Sequence, residues 1–130
     1  MSVKRLLLCV ASVATFGLVH SAAAAPTKIG VVIPLSGLTS QVGEKVKAAY
    51  QVAEQEINQA GGINGEPVQF VFADHQGKPD IGAREAERLV VEEKVVALTG
   101  SYESGVTLAV AQVAERRRVP YLVPYSASNR

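Results

Sequence analysis

Cysteine occurs once in this sequence, at Cys9, and histidine twice, at His20 and His75. Cys9 and His20 both fall in residues 1–24, which read as a secretory signal peptide. "MSVKR" is a basic start, "LLLCVASVATFGLV" an apolar core and "HSAAAAP" a small-residue cleavage region. Cleavage after Ala24 satisfies the small-residue rule through Ala22 and Ala24. The apolar core is too short for a comfortable membrane span, and polar sequence follows it. Cys9 stands behind Leu8 rather than a small residue, so it does not read as a lipoprotein cysteine. The expected mature chain, residues 25–130, has no cysteine and can form no internal disulfide. In an oxidising compartment its stability must then come from packing.

An excess of one charge is missing too. Losing Lys4 and Arg5 takes the thirteen Lys+Arg down to eleven, against twelve Asp+Glu. A near-neutral chain with no basic patch argues against nucleic acid or an anionic membrane as partner. There is no G-x-G-x-x-G and no G-x-x-x-x-G-K-[ST] to cradle a nucleotide phosphate. The nucleophile elbow G-x-S-x-G is absent as well: Tyr102-Glu103 precede Ser104, and Pro34-Leu35 precede Ser36. His75 is the one histidine of the mature chain, so a zinc site would rest almost wholly on carboxylates. With its polar neighbours it reads as a solvated loop residue rather than a general base. The ends of the first and third apolar runs, Ile33-Pro34-Leu35 and Leu98-Thr99-Gly100, lack the carboxylates of a phosphorelay receiver. No catalytic residue, metal or cofactor is assigned.

What is present alternates between two periods. "KIGVVIPL" is a β-branched run that reads as a buried strand. From Glu44 the period becomes helical, with Val46, Ala49, Tyr50, Ala53 and Ile57 on one face, and Gly61-Gly62 closes that helix. A turn on Asn64-Gly65 leads into a second strand, "VQFVFAD". Asp80 is placed to cap a second helix that turns Ile81, Ala86, Leu89 and Val90 inward. "KVVALTG" is a third strand. Ser104 is placed to cap a third helix burying Val106, Ala109, Val110 and Val113, closed by Arg116, Arg117 and Arg118. "VPYLVPYS" is a fourth strand. The order β-α-β-α-β-α-β with short connections predicts an α/β fold, a parallel sheet with helices on both faces.

In such sheets ligands bind at the carboxyl ends of the strands. The loops at that edge are "LSGLTSQ", "DHQGKPD", "GSYES" and "PYSASN", and three of them are dense in hydroxyls. A helix start with a serine beside it offers backbone N–H groups to a carboxylate without any cationic side chain. Tyr102 and Tyr125 can wall a pocket with apolar rings or simply shield the loops.

At these residues the chain resembles a known family. "IGVVIPLSG", "NQAGGINGEPVQFVFAD", "VVALTGSYES" and "VPYLVPYSAS" together resemble the branched-chain amino-acid-binding (leucine/isoleucine/valine-binding-like) family of periplasmic solute-binding proteins, which serve ABC importers. The resemblance runs from Lys28 to Arg130. It implies that residues 25–130 are an incomplete N-terminal lobe of a two-lobed type I periplasmic binding fold. It implies a periplasmic receptor that captures an amino acid or related small polar solute and passes it to an ABC-transporter permease in the inner membrane. By the same resemblance Ser104 holds the ligand carboxylate, with Tyr102 and Gly105 beside it. The loop after the fourth strand, Tyr125-Ser126-Ala127-Ser128, supplies a carbonyl and a hydroxyl, with Ser126 and Ser128 both candidates. Ser36 in the first loop lines the pocket.

Members of that family are several times longer, and their second lobe supplies an acidic partner for the ligand ammonium. This chain alone is therefore expected to bind an amino acid weakly and, with a sheet face and edge exposed, to be marginally stable. An amide-, urea- or aromatic-acid-binding receptor or sensor lobe of the same fold is the alternative. An exported α/β enzyme would need a nucleophile–base pair, and no histidine stands near a serine in a recognisable order.

Overall fold

A computed structural model describes residues 25–126. The expected signal peptide, Ala127 and Ser128 lie outside the described residues. The elements are β1 (Thr27–Ile33), α1 (Ser40–Gln59), β2 (Val68–Asp74), α2 (Pro79–Val91), β3 (Ala97–Gly100), α3 (Ser104–Arg117) and β4 (Tyr121–Leu122). The strands pair in parallel in the order β2-β1-β3-β4.

The helices lie on both faces. On one, Tyr50 of α1 meets Phe70 and Phe72 of β2 edge-on, with ring centroids 4.9 and 6.4 Å apart. Successive strand side chains point to opposite faces. Val71 and Ala73 accordingly join the other side, where Val32, Leu98, Ala86 and Leu89 pack with Val106, Val110 and Val113. α2 and α3 cover that side. A Cβ on Gly82 of α2 would come within 2.6 Å of Val106 Cγ1, so the missing side chain lets these helices meet. No helix among the described residues is long and apolar enough to cross a membrane.

Local chemistry explains most boundaries. The backbone at Asn64 and Gly65 has φ of 52° and 84°, the left-handed pair of a tight turn, and Ile63 and Glu66 exchange backbone hydrogen bonds of 2.8 and 3.0 Å across it. α1 ends where the Gly62 N–H donates to the Ile57 carbonyl. α3 ends in Arg116 and Arg117, and Arg118 caps it in the left-handed region. Arg117 pairs with Glu87 of α2, so the arginine run closes a helix and ties it to its neighbour.

The third and fourth strands are shorter than the runs "KVVALTG" and "VPYLVPYS", at Ala97–Gly100 and Tyr121–Leu122, and four other readings need correction. α1 begins at Ser40 rather than near Glu44, and Ala49 is exposed instead of facing inward. Its one fully buried residue is Gly43, where a Cβ would collide with the Pro34 carbonyl. That glycine is a contact point, not a helix breaker. α2 is capped by Lys78 rather than Asp80, because Pro79 takes the first helical position, where no N–H is needed. Asp80 sits in the first turn instead. α3 is capped by Glu103 in extended conformation, and Ser104 is its first residue. The fourth correction is His75, which is buried with 0% exposure.

Candidate functional site

The sheet order places β1 between β2 and β3, so the chain leaves β1 toward one neighbour and returns to the other side. The crevice between the carboxyl ends of β1 and β3 is the switch point of this topology. Three loops meet there: Pro34 to Thr39, His75 to Lys78, and Ser101 to Glu103.

Each loop is held by its own polar contacts. Asp74, the last residue of β2, accepts from the Leu35 N–H at 2.9 Å, the Ser36 N–H at 3.3 Å, the Ser36 hydroxyl at 2.6 Å and the Gln76 N–H at 2.9 Å. Partial burial opposes its charge, but the Ser36 hydroxyl and the Gln76, Leu35 and Ser36 N–H groups outweigh it. Its pKa therefore lies below the ordinary carboxylate value. The Ser36 hydroxyl is thus committed to Asp74.

Gly100, the last residue of β3, and Ser101 after it both have positive φ, 105° and 67°. A Cβ at Gly100 would sit 2.5 Å from the Val32 carbonyl oxygen, so only glycine fits this turn. Ser101 turns inward. It is fully buried, and its hydroxyl lies 2.6 Å from the Tyr121 hydroxyl. The hydroxyls of the "GSYES" loop therefore divide, with Ser101 bracing the sheet and Ser104 lining the cleft at the edge.

Tyr102, Glu103, Ser104, Tyr125 and Ser126 line a cleft of about 440 Å³. The Ser126 hydroxyl donates to the Ser104 hydroxyl at 3.3 Å, which joins the β3–α3 and post-β4 loops across it. Tyr102 and Tyr125 are 44% and 43% exposed, so both remain accessible at this cleft. Ser104 opens the first turn of α3, where the helix dipole places partial positive charge. The structure thus brings Tyr102, Ser104, Tyr125 and Ser126 together. Gly105 is exposed beside them without lining the cleft, and Ser36 lies on the β1 loop bonded to Asp74.

Sequence reasoning missed the polar contacts among His75, Glu103 and Thr39 at this edge. The Gly77 N–H donates to His75 Nδ1 at 3.0 Å, and His75 Nε2 lies 3.5 Å from Glu103 Oε2. Glu103 Oε1 accepts from the Thr39 hydroxyl at 2.7 Å. Burial pulls the His75 pKa below the ordinary imidazole value, more than Glu103 and Asp74 raise it. Polar neighbours in the chain suggested exposure, whereas the α3 start folds over the imidazole and excludes water. Among the described residues no group of three or more His, Cys, Asp or Glu is placed to hold a metal ion.

Residues 26–130 match the sequence model of the periplasmic binding protein family. The chain belongs to that family. As a family member it is 38% identical over 120 residues to Leu/Ile/Val-binding protein homolog 3 of Brucella melitensis, which covers 92% of this chain and 32% of the relative. The fold is similar to a branched-chain amino acid transporter substrate-binding protein of Streptococcus pneumoniae, solved with isoleucine. The TM-score is 0.77 at 31% identity, over 81% of this chain and 30% of that one. It is also similar to an ABC-transporter solute-binding protein of Rhodopseudomonas palustris, solved with 3,4-dihydroxybenzoic acid. There the TM-score is 0.70 at 25% identity, over 78% and 27% of the two chains. This periplasmic binding protein segment therefore spans about a third of the length of the curated relatives it matches. The resemblance read from the four quoted stretches and the parallel α/β fold are both borne out.

Proposed function

We propose that residues 25–130 are part of the N-terminal lobe of an extracytoplasmic solute receptor of an ABC importer, and that residues 1–24 export it to the periplasm as a cleaved signal peptide. The solute is an amino acid of the branched-chain class. The receptor delivers it to a permease in the inner membrane.

The observation that carries this reading is the cleft in which Ser126 bonds to Ser104 at the start of α3. The helix start and the serine hydroxyl give a carboxylate hydrogen-bond donors and partial positive charge without a cationic side chain. Tyr102 and Tyr125 flank it with apolar surface suited to a hydrocarbon side chain. Ser126 and Ser128, with Ala127 between them in the sequence, are both candidates for the hydroxyl that this loop gives the solute, and Gly105 follows Ser104. Ser36 acts through its bond to Asp74, which sets the first loop against the cleft. A second lobe closes over the solute and excludes water, so the segment alone makes half of the contacts.

The two tyrosines favour one further reading, an aromatic acid in the same cleft. Calorimetric titration of the complete receptor with L-leucine, L-isoleucine, L-valine and 3,4-dihydroxybenzoate separates the two. Saturable binding of an aliphatic amino acid supports the first reading, and binding of the benzoate alone supports the second. No heat from any of the four overturns both.

A further inference from the structure

His75, Glu103 and Thr39 come from three different loops of the carboxyl edge, and of the three only Glu103 lines the cleft. His75 is fully buried. Its Nδ1 accepts from the Gly77 N–H, so the neutral ring carries its proton on Nε2, and that nitrogen lies 3.5 Å from Glu103 Oε2. Both atoms are buried and neither makes a hydrogen bond, so the contact between them is an electrostatic approach rather than a bond. The other oxygen of Glu103 takes the Thr39 hydroxyl at 2.7 Å. Glu103 is also the cap of α3, and its carbonyl receives both the Thr107 N–H and the Thr107 hydroxyl. Whatever fixes Glu103 therefore fixes the orientation of the helix start that carries Ser104.

We propose that Thr39, Glu103 and His75 are positioning residues that clamp the three loops of the carboxyl edge together and so hold the Ser104 end of α3 in place for the solute. The inference rests on the solute-receptor reading for its last clause only. The clamp itself is a property of the fold.

Acid opens the clamp. A proton added at Nδ1 would set two donors, the ring and the Gly77 N–H, against each other. The charged groups acting on the imidazole are Glu103 at the start of α3 and Asp74 at the end of β2. They favour the cation, but burial outweighs them. Because the folded chain holds the imidazole less basic than the unfolded chain does, the unfolded state takes up the extra proton first. Stability contributed by neutral His75 is complete above 6.5 and is lost as the pH falls through and below that value.

The test uses the complete receptor, nitrogen-15 spectra and L-leucine as probe. His75 is assigned by its loss in His75→Gln. At pH 7.5 the ring should show the Nε2–H tautomer, with a titration midpoint below 6.5. Glu103→Gln should lower that midpoint further. Thr39→Val, which keeps the shape and removes the hydroxyl, should move the amide resonances of residues 101–105. It should also weaken leucine binding by roughly tenfold, the scale set by one lost hydrogen bond to a charged group. Thr39→Ser should restore both. An Nδ1–H tautomer, a midpoint indifferent to Glu103→Gln, or amides unmoved by Thr39→Val would each overturn the clamp. If the wild type binds no leucine but the amide and imidazole results hold, the solute assignment fails and the clamp stands.

Discussion

Four hydrogen bonds converge on the carboxylate of Asp74, two from Ser36 and one each from Leu35 and Gln76. All four bonds end on carboxylate oxygens, and the charge is what makes the arrangement work. Asp74→Asn keeps one acceptor but turns an N–H₂ toward donors. It should cost about 1–3 kcal/mol in a thermal or denaturant melt, the usual range for hydrogen bonds to a charged group. The carboxyl is held below its ordinary value of 3.8, so its contribution is present above that pH and lost as the pH falls through the lower folded value. Wild type and Asp74→Asn should therefore converge in stability at strongly acid pH, and an equal gap at all pH values would contradict the assignment. Hydroxyl-rich loops and the serine at the helix start were legible in the sequence because those residue types are local signals. The burial of His75 was not, since it depends on Glu103, distant in sequence, folding across it. Nor was the split between inward Ser101 and outward Ser104, which follows from a left-handed backbone at Ser101.

The second strand emerged with sound boundaries: β2 runs over the same Val68–Asp74 that the run "VQFVFAD" after the Asn64-Gly65 turn marks. The weaker boundaries failed for physical reasons. The run "KVVALTG" contributes only Ala97–Gly100 to the sheet, because Lys94 adopts a φ of 59° and Val95 bonds back to the Leu89 carbonyl. α1 starts early because Gly43 lets its first turn press on the end of β1, a contact invisible to helix propensity. Gly43→Ala would improve propensity yet push the helix off Pro34. We expect a net loss of about 1–3 kcal/mol, typical of overpacking, in urea unfolding. A stabilised variant would show that α1 is not anchored there. The caps of α2 and α3 each fall one or two residues ahead of the sequence-marked residue, so a proline at the first position was the better signal for α2.

At the scale of the molecule, one face of the sheet is incompletely covered. Ile29, Tyr50, Phe70, Ala97, Leu98, Thr99 and Leu122 line a largely apolar hollow of about 270 Å³ beside α1. Leu122, on the two-residue edge strand β4, is 71% exposed. Isolated residues 25–130 should accordingly unfold over a broad urea range and self-associate through this face and edge. A sharp transition that fits two states, with no concentration dependence, would contradict that. The central claim concerns the opposite end of the strands, where α3 begins. It is tested most directly by titrating L-leucine into the complete receptor and its Ser104→Ala variant by calorimetry. The account predicts a loss of about 1–3 kcal/mol in binding, with the fold and melting temperature kept, as expected when a charged group loses one hydrogen-bond partner. Equal affinity in the two proteins would show that Ser104 begins a helix and does nothing for the solute.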